Sequence, residues 1–379
     1  MLEKKHLEYR EKIRAFALEK IEPNAAELDL QQRFPTEYLK PLTEMGLMSM
    51  IIPEQYGGQP VDTVCYSIAV EELSRVCGST GITIAAHNSL GTFPICAFGN
   101  EDQKKRYLPK AAEGALLAFG LTEPDAGSDA GGTKTFAERK GDQWVINGSK
   151  CFITSASHAL ATISTAKTSD DPKNPAITCF ILEKEMPGYS VGKKENKLGL
   201  RGSDTASLHF DDMKVSDDYL LGKVGDGFKQ MLITLDGGRI SIGAMALGLA
   251  QGALDCALKY ASKRVEFGKP IAYQQGIQFT LADMATEIEA ARLMIYEASR
   301  LKDSGQPFSH LSAMCKLYAS EVGTRIAAAA VSLMAESGAY TGPYPAERIW
   351  RDVKLCEIGE GTSEIQRLVI GRAMLKSIQ

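Results

Sequence analysis

Residues 143–154 read QWVINGSKCFIT. β-branched and aromatic residues stand on both sides of Asn147-Gly148, a pair suited to the positive φ angles of a two-residue hairpin turn. The stretch therefore predicts two antiparallel strands joined at Asn147-Gly148. LATISTA (160–166), ITCFILE (177–183) and SLHFDDMKV (207–215) read as further strands, with the polar TSDDPKNPA (168–176) as the turn between two of them. Residues 119–225 thus read as a small antiparallel β domain.

On either side the periodicity changes from two to three and four. Before the strand block, Leu7, Ile13, Phe16 and Ile21 recur near helical spacing in a charged background. Thr36 precedes a second such run, and VDTVCYSIAVEELSRVC (61–77) forms a third. Pro53, Gly57, Gly58 and Pro60 mark a loop between them. After the block, Leu281, Met284, Ile288, Ala291, Ile295 and Ala298 form one apolar stripe, as in the core of a helix bundle. Residues 247–261, 309–336 and 362–377 read as the remaining helices. The fold class is therefore mainly α with a central antiparallel β domain: 1–118 helical, 119–225 strands, 226–379 a helical bundle.

A chain of 379 residues is too long for one compact core. With 43 Lys and Arg against 47 Asp and Glu, it lacks the basic balance of a nucleic-acid binder. Charges interrupt the first sixteen residues too often for a signal peptide, and no run of ~20 uninterrupted apolar residues predicts a membrane span. Eight scattered cysteines form no C-x-x-C pair and five histidines no H-x-x-x-H pair, so no metal is expected. The cysteine pattern fits a reducing cytoplasmic compartment. No G-x-G-x-x-G follows an opening strand, so a nucleotide cofactor needs another kind of site.

Two segments carry candidate chemistry. LAFGLTEPDAGSDAG (117–131) joins the first helical part to the strands. Gly127 and Gly131 permit close backbone approach, and Thr122 and Ser128 offer hydroxyls. The segment fits a phosphate cradle or an ordinary polar loop equally well. CEIGEGTSEIQR (356–367) sets Glu360 between Gly359 and Gly361, with Thr362 placed to cap a helix starting at Ser363. Glu360 could meet a substrate there or be a solvated acid at a helix start.

LTEPDAGSD and EGTSEIQR together resemble the two signature stretches of the acyl-CoA dehydrogenases. YGG (56–58), AHNSLGTFPICAFGNEDQKKRYLP (86–109), INGSKCFIT (146–154), ENKLGLRGSDT (195–205), EFGKPIAYQQGIQ (266–278) and YPAERIWRD (344–352) follow in the family's order. The resemblance implies an α domain, a β domain and a C-terminal four-helix bundle, non-covalent FAD and a homotetramer or dimer. It implies α,β-dehydrogenation of a short, branched or cyclic acyl-CoA, with Glu360 as base, hydride passing to flavin N5 and electrons to electron-transfer flavoprotein. The same residues would serve an enoyl-CoA reductase running in reverse. A non-catalytic acyl-CoA-binding member is the third alternative.

Residue by residue, the resemblance places Phe119, Leu121 and Thr122 along the flavin, Gly127 and Ser128 at the pyrophosphate, and Phe152 and Thr154 beside the ring. Arg264, Phe267 and Gln275 fall at the adenine end of an FAD held mainly by a neighbouring subunit, and Thr362 and Glu364 contact FAD again. Asp236 and Arg239 fall where the family grips CoA. Ser128, Gly359 and Gly361 also border the substrate, and His87 and Thr92 fall where the acyl pocket closes. The chain departs from the family's pattern at three places. Gly359 replaces a frequent Tyr, which implies a wider acyl pocket. Phe152 replaces a Trp. Residues 333–337, LMAES, replace a Gln-x-x-Gly-Gly stretch. Gly238 occupies the position from which isovaleryl- and long-chain-type relatives supply their base, and Gly81 the position of the glutaryl-type Arg.

Overall fold

The computed structural model describes residues 2–169, 171, 176–335, 339–340, 344–376 and 378. Seven helices open the chain: α1 (Lys4–Phe16), α2 (Ala25–Gln31), α3 (Leu39–Glu44), α4 (Thr63–Val76), α5 (Gly78–Ala86), α6 (Phe93–Phe98) and α7 (Glu101–Ala112). Local chemistry sets several of their ends. The Asp62 carboxylate accepts the Cys65 N–H at the start of α4, and Asn100 with Gln103 forms a capping box on α7.

The strands follow: β1 (Leu117–Gly120), β2 (Phe136–Lys140), β3 (Gln143–Thr154), β4 (Ala161–Ser169), β5 (Ala176–Glu183), β6 (Tyr189–Lys194), β7 (Thr205–Ser216) and β8 (Leu220–Leu221). They lie in the order β6-β7-β3-β2-β4-β5-β8, with β1 also on β4. The sheet is mixed rather than antiparallel throughout, because β1 and β2 each pair parallel to β4.

The predicted hairpin at Asn147-Gly148 is not formed. QWVINGSKCFIT is one continuous strand, and the pair is an irregularity in its register with β7. Gly148 has φ +145°, and a Cβ there would come within 2.7 Å of the Thr135 backbone. The Asn147 side chain bonds Asp212 across the strands. The bulge at this point carries its extra residue on β7, where Asp211 and Asp212 (φ +44°) oppose Asn147, and Gly148 supplies the positive φ on the β3 side. The turn between β2 and β3 is instead Gly141-Asp142, with Gly141 at φ +64°.

Beyond the sheet come α8 (Gly227–Ala261), the short pair β9 (Val265–Glu266) and β10 (Lys269–Pro270), then α9 (Gln275–Asp303), α10 (Ser309–Ala335), α11 (Ala346–Val353) and α12 (Ser363–Lys376). The stripe on α9 faces inward as predicted, with Met284, Ile288, Ala291, Ile295 and Ala298 buried. α8 packs against α4, α9 and α10 at once. It is long and apolar enough to cross a membrane, but its most apolar window is 89% buried inside the fold, as a central bundle helix must be. Gly243, Gly248 and Gly252 bring its backbone close to neighbouring helices. Its first turn rests on β5, with Gly227 against the backbone of Ile177 and Thr178. α8 therefore joins the strand block to the bundle.

A candidate active site at the Glu360 turn

Glu360 lies in the turn between α11 and α12. It has φ +55° and Gly361 φ +95°. A left-handed backbone costs a non-glycine residue about 1–2 kcal/mol, so the turn needs partners to hold it. The Gly361 carbonyl accepts from Lys316 Nζ at 2.7 Å and Gln366 Nε2 at 2.8 Å. Gln366 Nε2 also reaches the Glu360 carbonyl at 3.3 Å. Thr362 caps α12 as expected, its Oγ1 accepting the Ile365 N–H at 3.3 Å.

The turn sends the Glu360 side chain inward. The residue as a whole is half-buried, but both carboxylate oxygens are sealed from solvent and have no hydrogen-bond partner. A Cβ on Gly238 would lie 1.9 Å from Oε2 and 3.2 Å from Leu90 Cδ2. The missing side chain on α8 is therefore the space that the carboxylate fills. A side chain at 238 and the Glu360 carboxylate would compete for one volume. Burial pushes the Glu360 carboxyl up to about 7 against the opposing pull of Lys316 and Arg239. A carboxylate that is desolvated, unpartnered and close to neutral pH is suited to accept a proton from carbon.

Asp236 and Arg239 form an ion pair on α8. Arg239 is buried and its Nε has no partner, while burial raises the Asp236 carboxyl. Gly359 keeps an ordinary φ, and a Cβ there would sit in ordinary contact with Leu355 at 3.5–3.7 Å, so a side chain is tolerated at this position.

A second group forms where β1 meets β3. The Cys151 N–H donates to the Thr122 carbonyl at 2.8 Å, setting Thr122 beside Phe152. Phe152 has φ +59° and is 65% exposed, unusual for an aromatic ring in a well-packed sheet. Phe119, Leu121, Thr122 and Thr154 are half-buried, and Gly127 and Ser128 are exposed, with open space around Gly127. An uncovered aromatic wall leading to an open glycine-containing loop fits a flat ring with a diphosphate arm.

Below this loop lies a feature that sequence reasoning missed. Lys150 is fully buried and donates to Glu123 Oε1 at 2.6 Å, the Leu121 carbonyl at 3.2 Å and Thr165 Oγ1 at 3.1 Å. Glu123 also accepts from Thr133 and from the N–H groups of Lys134 and Thr135. Lys150 and these other donors hold the Glu123 carboxyl down near 2 despite its burial. The signal in the sequence was a lysine between apolar residues of one strand. Lys316 and Gln366 were missed too. Lys316 shares a helix face with Ser312 and Ser320, and a lone cation among small residues was the only sign.

Arg264, Phe267 and Gln275 do not join either group. Arg264 pairs with Glu266 at 2.6 Å, Phe267 is 93% exposed at the tip of the β9–β10 turn, and Gln275 is exposed at the start of α9. Glu364 is exposed on the first turn of α12. His87 is a core residue: one ring nitrogen meets the Met48 carbonyl at 2.9 Å and the other accepts the Leu117 N–H at 3.2 Å. Thr92 is buried with an unpartnered hydroxyl. A side chain at Gly81 would meet Ser74 Oγ at 1.9 Å. Of residues 333–337, Glu336 and Ser337 lie outside the described residues. Among the described residues, His6, Asp62 and Cys65 come close enough to share an ion. Asp62 there already accepts from Cys65, His6 and Lys5.

Comparison with known proteins gives the family. Residues 3–115, 118–213 and 225–375 match the N-terminal, middle and C-terminal domains of acyl-CoA dehydrogenase. The chain is 50% identical over 370 residues, 97% of each protein, to the probable acyl-CoA dehydrogenase YngJ of Bacillus subtilis. It is 46% identical to the mitochondrial short-chain specific acyl-CoA dehydrogenase of Mus musculus, covering 98% of this chain and 90% of that one. Butyryl-CoA dehydrogenase from Megasphaera elsdenii superposes with TM-score 0.96 at 41% identity over 99% of both chains. A chain from structural work on the electron transferring flavoprotein of Acidaminococcus fermentans gives 0.96 at 44% identity, again over 99% of both. An acyl-CoA dehydrogenase from Bacillus anthracis complexed with FAD gives 0.93 at 32%, covering all of this chain and 68% of that one. With all three domains matched and identity near one half over almost its full length, the chain belongs to the acyl-CoA dehydrogenase family.

Proposed function

We propose that the protein is an FAD-dependent dehydrogenase of short, branched or cyclic acyl-CoA thioesters, with Glu360 as the base. One observation carries the reading: a buried, unpartnered carboxylate aimed into space left by a glycine. In this reading Glu360 takes the α-proton and becomes a neutral acid, the form its burial favours. The Glu360 backbone N–H bonds the thioester carbonyl and stabilises the developing enolate. Phe119, Leu121, Thr122, Phe152 and Thr154 hold the flavin ring, and Gly127 and Ser128 its diphosphate. FAD, when bound, supplies the acceptor for the β-hydride. Asp236 and Arg239 orient the CoA arm.

The substrate class rests on Gly359 and Gly81. The absence of a side chain at Gly359 suits bulk next to the α-carbon. Gly81 carries no cation where a glutaryl-type Arg would stand, which disfavours a distal carboxylate. Electron-transfer flavoprotein is the acceptor we assign, supported by the likeness to the Acidaminococcus-related chain. The exposed Arg264, Phe267 and Gln275 support a homotetramer in which they serve a neighbour's FAD. The eight unpaired cysteines support a cytoplasmic setting. Anaerobic titration of the yellow protein with butyryl-, isobutyryl- and glutaryl-CoA tests the reading. The first two should bleach the flavin and the third should not. Bleaching by glutaryl-CoA alone would overturn the substrate class.

A further inference from the structure

Lys316 is a fully buried cation on α10 with a single hydrogen-bond acceptor among the described residues, the Gly361 carbonyl at 2.7 Å. Neither Asp nor Glu lies within ion-pair distance of it among those residues. A buried ammonium without a paired anion is costly and calls for an explanation. Its surroundings supply one. The carbonyl it holds belongs to the second of two consecutive left-handed residues, and the first is Glu360. Gln366 holds the same carbonyl from α12. The turn is thus gripped from two helices, by one charged and one neutral donor.

We propose that Lys316 is a positioning residue for the base, locking the Glu360–Gly361 turn so that the carboxylate stays over Gly238 and beside the buried ammonium. The proposal rests on Glu360 being the base. The fold supplies few alternatives for the charge. Facing Glu360 from α8 is Arg239, already tied to Asp236. From α4 comes Tyr66, whose hydroxyl is pushed far up by burial and stays protonated. From the turn after α11 comes Cys356, pushed up to about 12 and neutral. Lys316 itself is pulled down to about 8 by burial, so it is mostly charged near pH 7, where Glu360 is half-ionised. It opposes the upward push of burial on Glu360, keeping the base ionised at lower pH than the pocket alone would allow.

The test is anaerobic single-turnover bleaching of the FAD-loaded protein by butyryl-CoA across pH, for wild type, Lys316→Met, Lys316→Gln, Gln366→Leu and Glu360→Gln. Lys316→Gln, the smaller perturbation, decides if Lys316→Met does not fold. The Lys316 variants should keep their FAD and thermal midpoint, yet bleach roughly 10- to 100-fold more slowly, as expected for a displaced catalytic group. Their rising pH limb should move to higher pH, because the cation that lowers the Glu360 pKa is gone. Gln366→Leu should slow bleaching without moving the limb, since it removes a clamp and not a charge. An unchanged rate and limb in the Lys316 variants would overturn the proposal. So would slowing that tracks loss of FAD or thermal midpoint with the limb unmoved, the mark of a merely structural residue. Wild-type bleaching by Glu360→Gln would instead remove the base assignment itself, a failure visible without reference to Lys316.

Discussion

Glu360 and Gly238 share one volume from two different helical segments. Adding a methyl at 238 puts a Cβ 1.9 Å from the Glu360 carboxylate oxygen. That oxygen is the far end of a flexible side chain, so it can swing away at little cost to the fold. Gly238→Ala should therefore keep its FAD and thermal midpoint while flavin reduction by substrate falls roughly 10- to 100-fold. Equal loss of FAD and rate would show that the glycine serves packing only. The raised carboxyl also has a pH signature. A base must be ionised, so the second-order rate of flavin reduction should rise with pH around a midpoint near 7. Stability should run the other way. A carboxyl whose folded pKa is raised binds its proton more tightly when folded, so stability falls as pH climbs from the unfolded value through about 7. Glu360→Gln should accordingly raise the thermal midpoint of the apoprotein at pH 8 and raise it far less at pH 5.

Strand β3 shows both what was legible and what was not. Its β character is plain from β-branched and aromatic residues, but Asn147-Gly148 suggests a turn where the strand runs on, opposite a bulge at Asp211-Asp212 of β7. Both need a residue free to adopt positive φ, and only pairing partners more than fifty residues away, on β7, separate the two cases. The helical stripe on α9 was legible because helix spacing is local. The Lys150–Glu123 pair was not, because one strand position does not reveal that a loop folds beneath it. That pair pins the TEPDAGSD segment through Leu121 and Glu123. Lys150→Met leaves a buried carboxylate without its cation, a loss of about 3–5 kcal/mol. FAD retention and the thermal midpoint should drop together. A variant with normal FAD content would show that the loop is held by its backbone contacts alone.

At the scale of the whole molecule, the change of periodicity from helix to strand and back foretold the order of helices, strands and helices, and the resemblance to the acyl-CoA dehydrogenases implied the same order. The Glu360 turn was legible as a motif but not as a geometry. Its neighbours Gly238, Lys316 and Gln366 come from α8, α10 and α12, and only the packed bundle brings them together. The Arg264–Phe267 turn and Gln275 stand apart from this site in a single chain. If they complete a neighbour's FAD site, Phe267→Ser should leave the chain folded yet lower both FAD content and the assembled fraction in sedimentation. Assembly and FAD content at wild-type levels would contradict that role. The central claim is that Glu360 removes the α-proton. Its most direct measurement is the anaerobic bleaching rate of Glu360→Gln, loaded with FAD, on mixing with butyryl-CoA. The account predicts intact FAD content, intact ligand binding and a rate ~100- to 10,000-fold below wild type, the usual range for loss of a general base. Bleaching at the wild-type rate would contradict it.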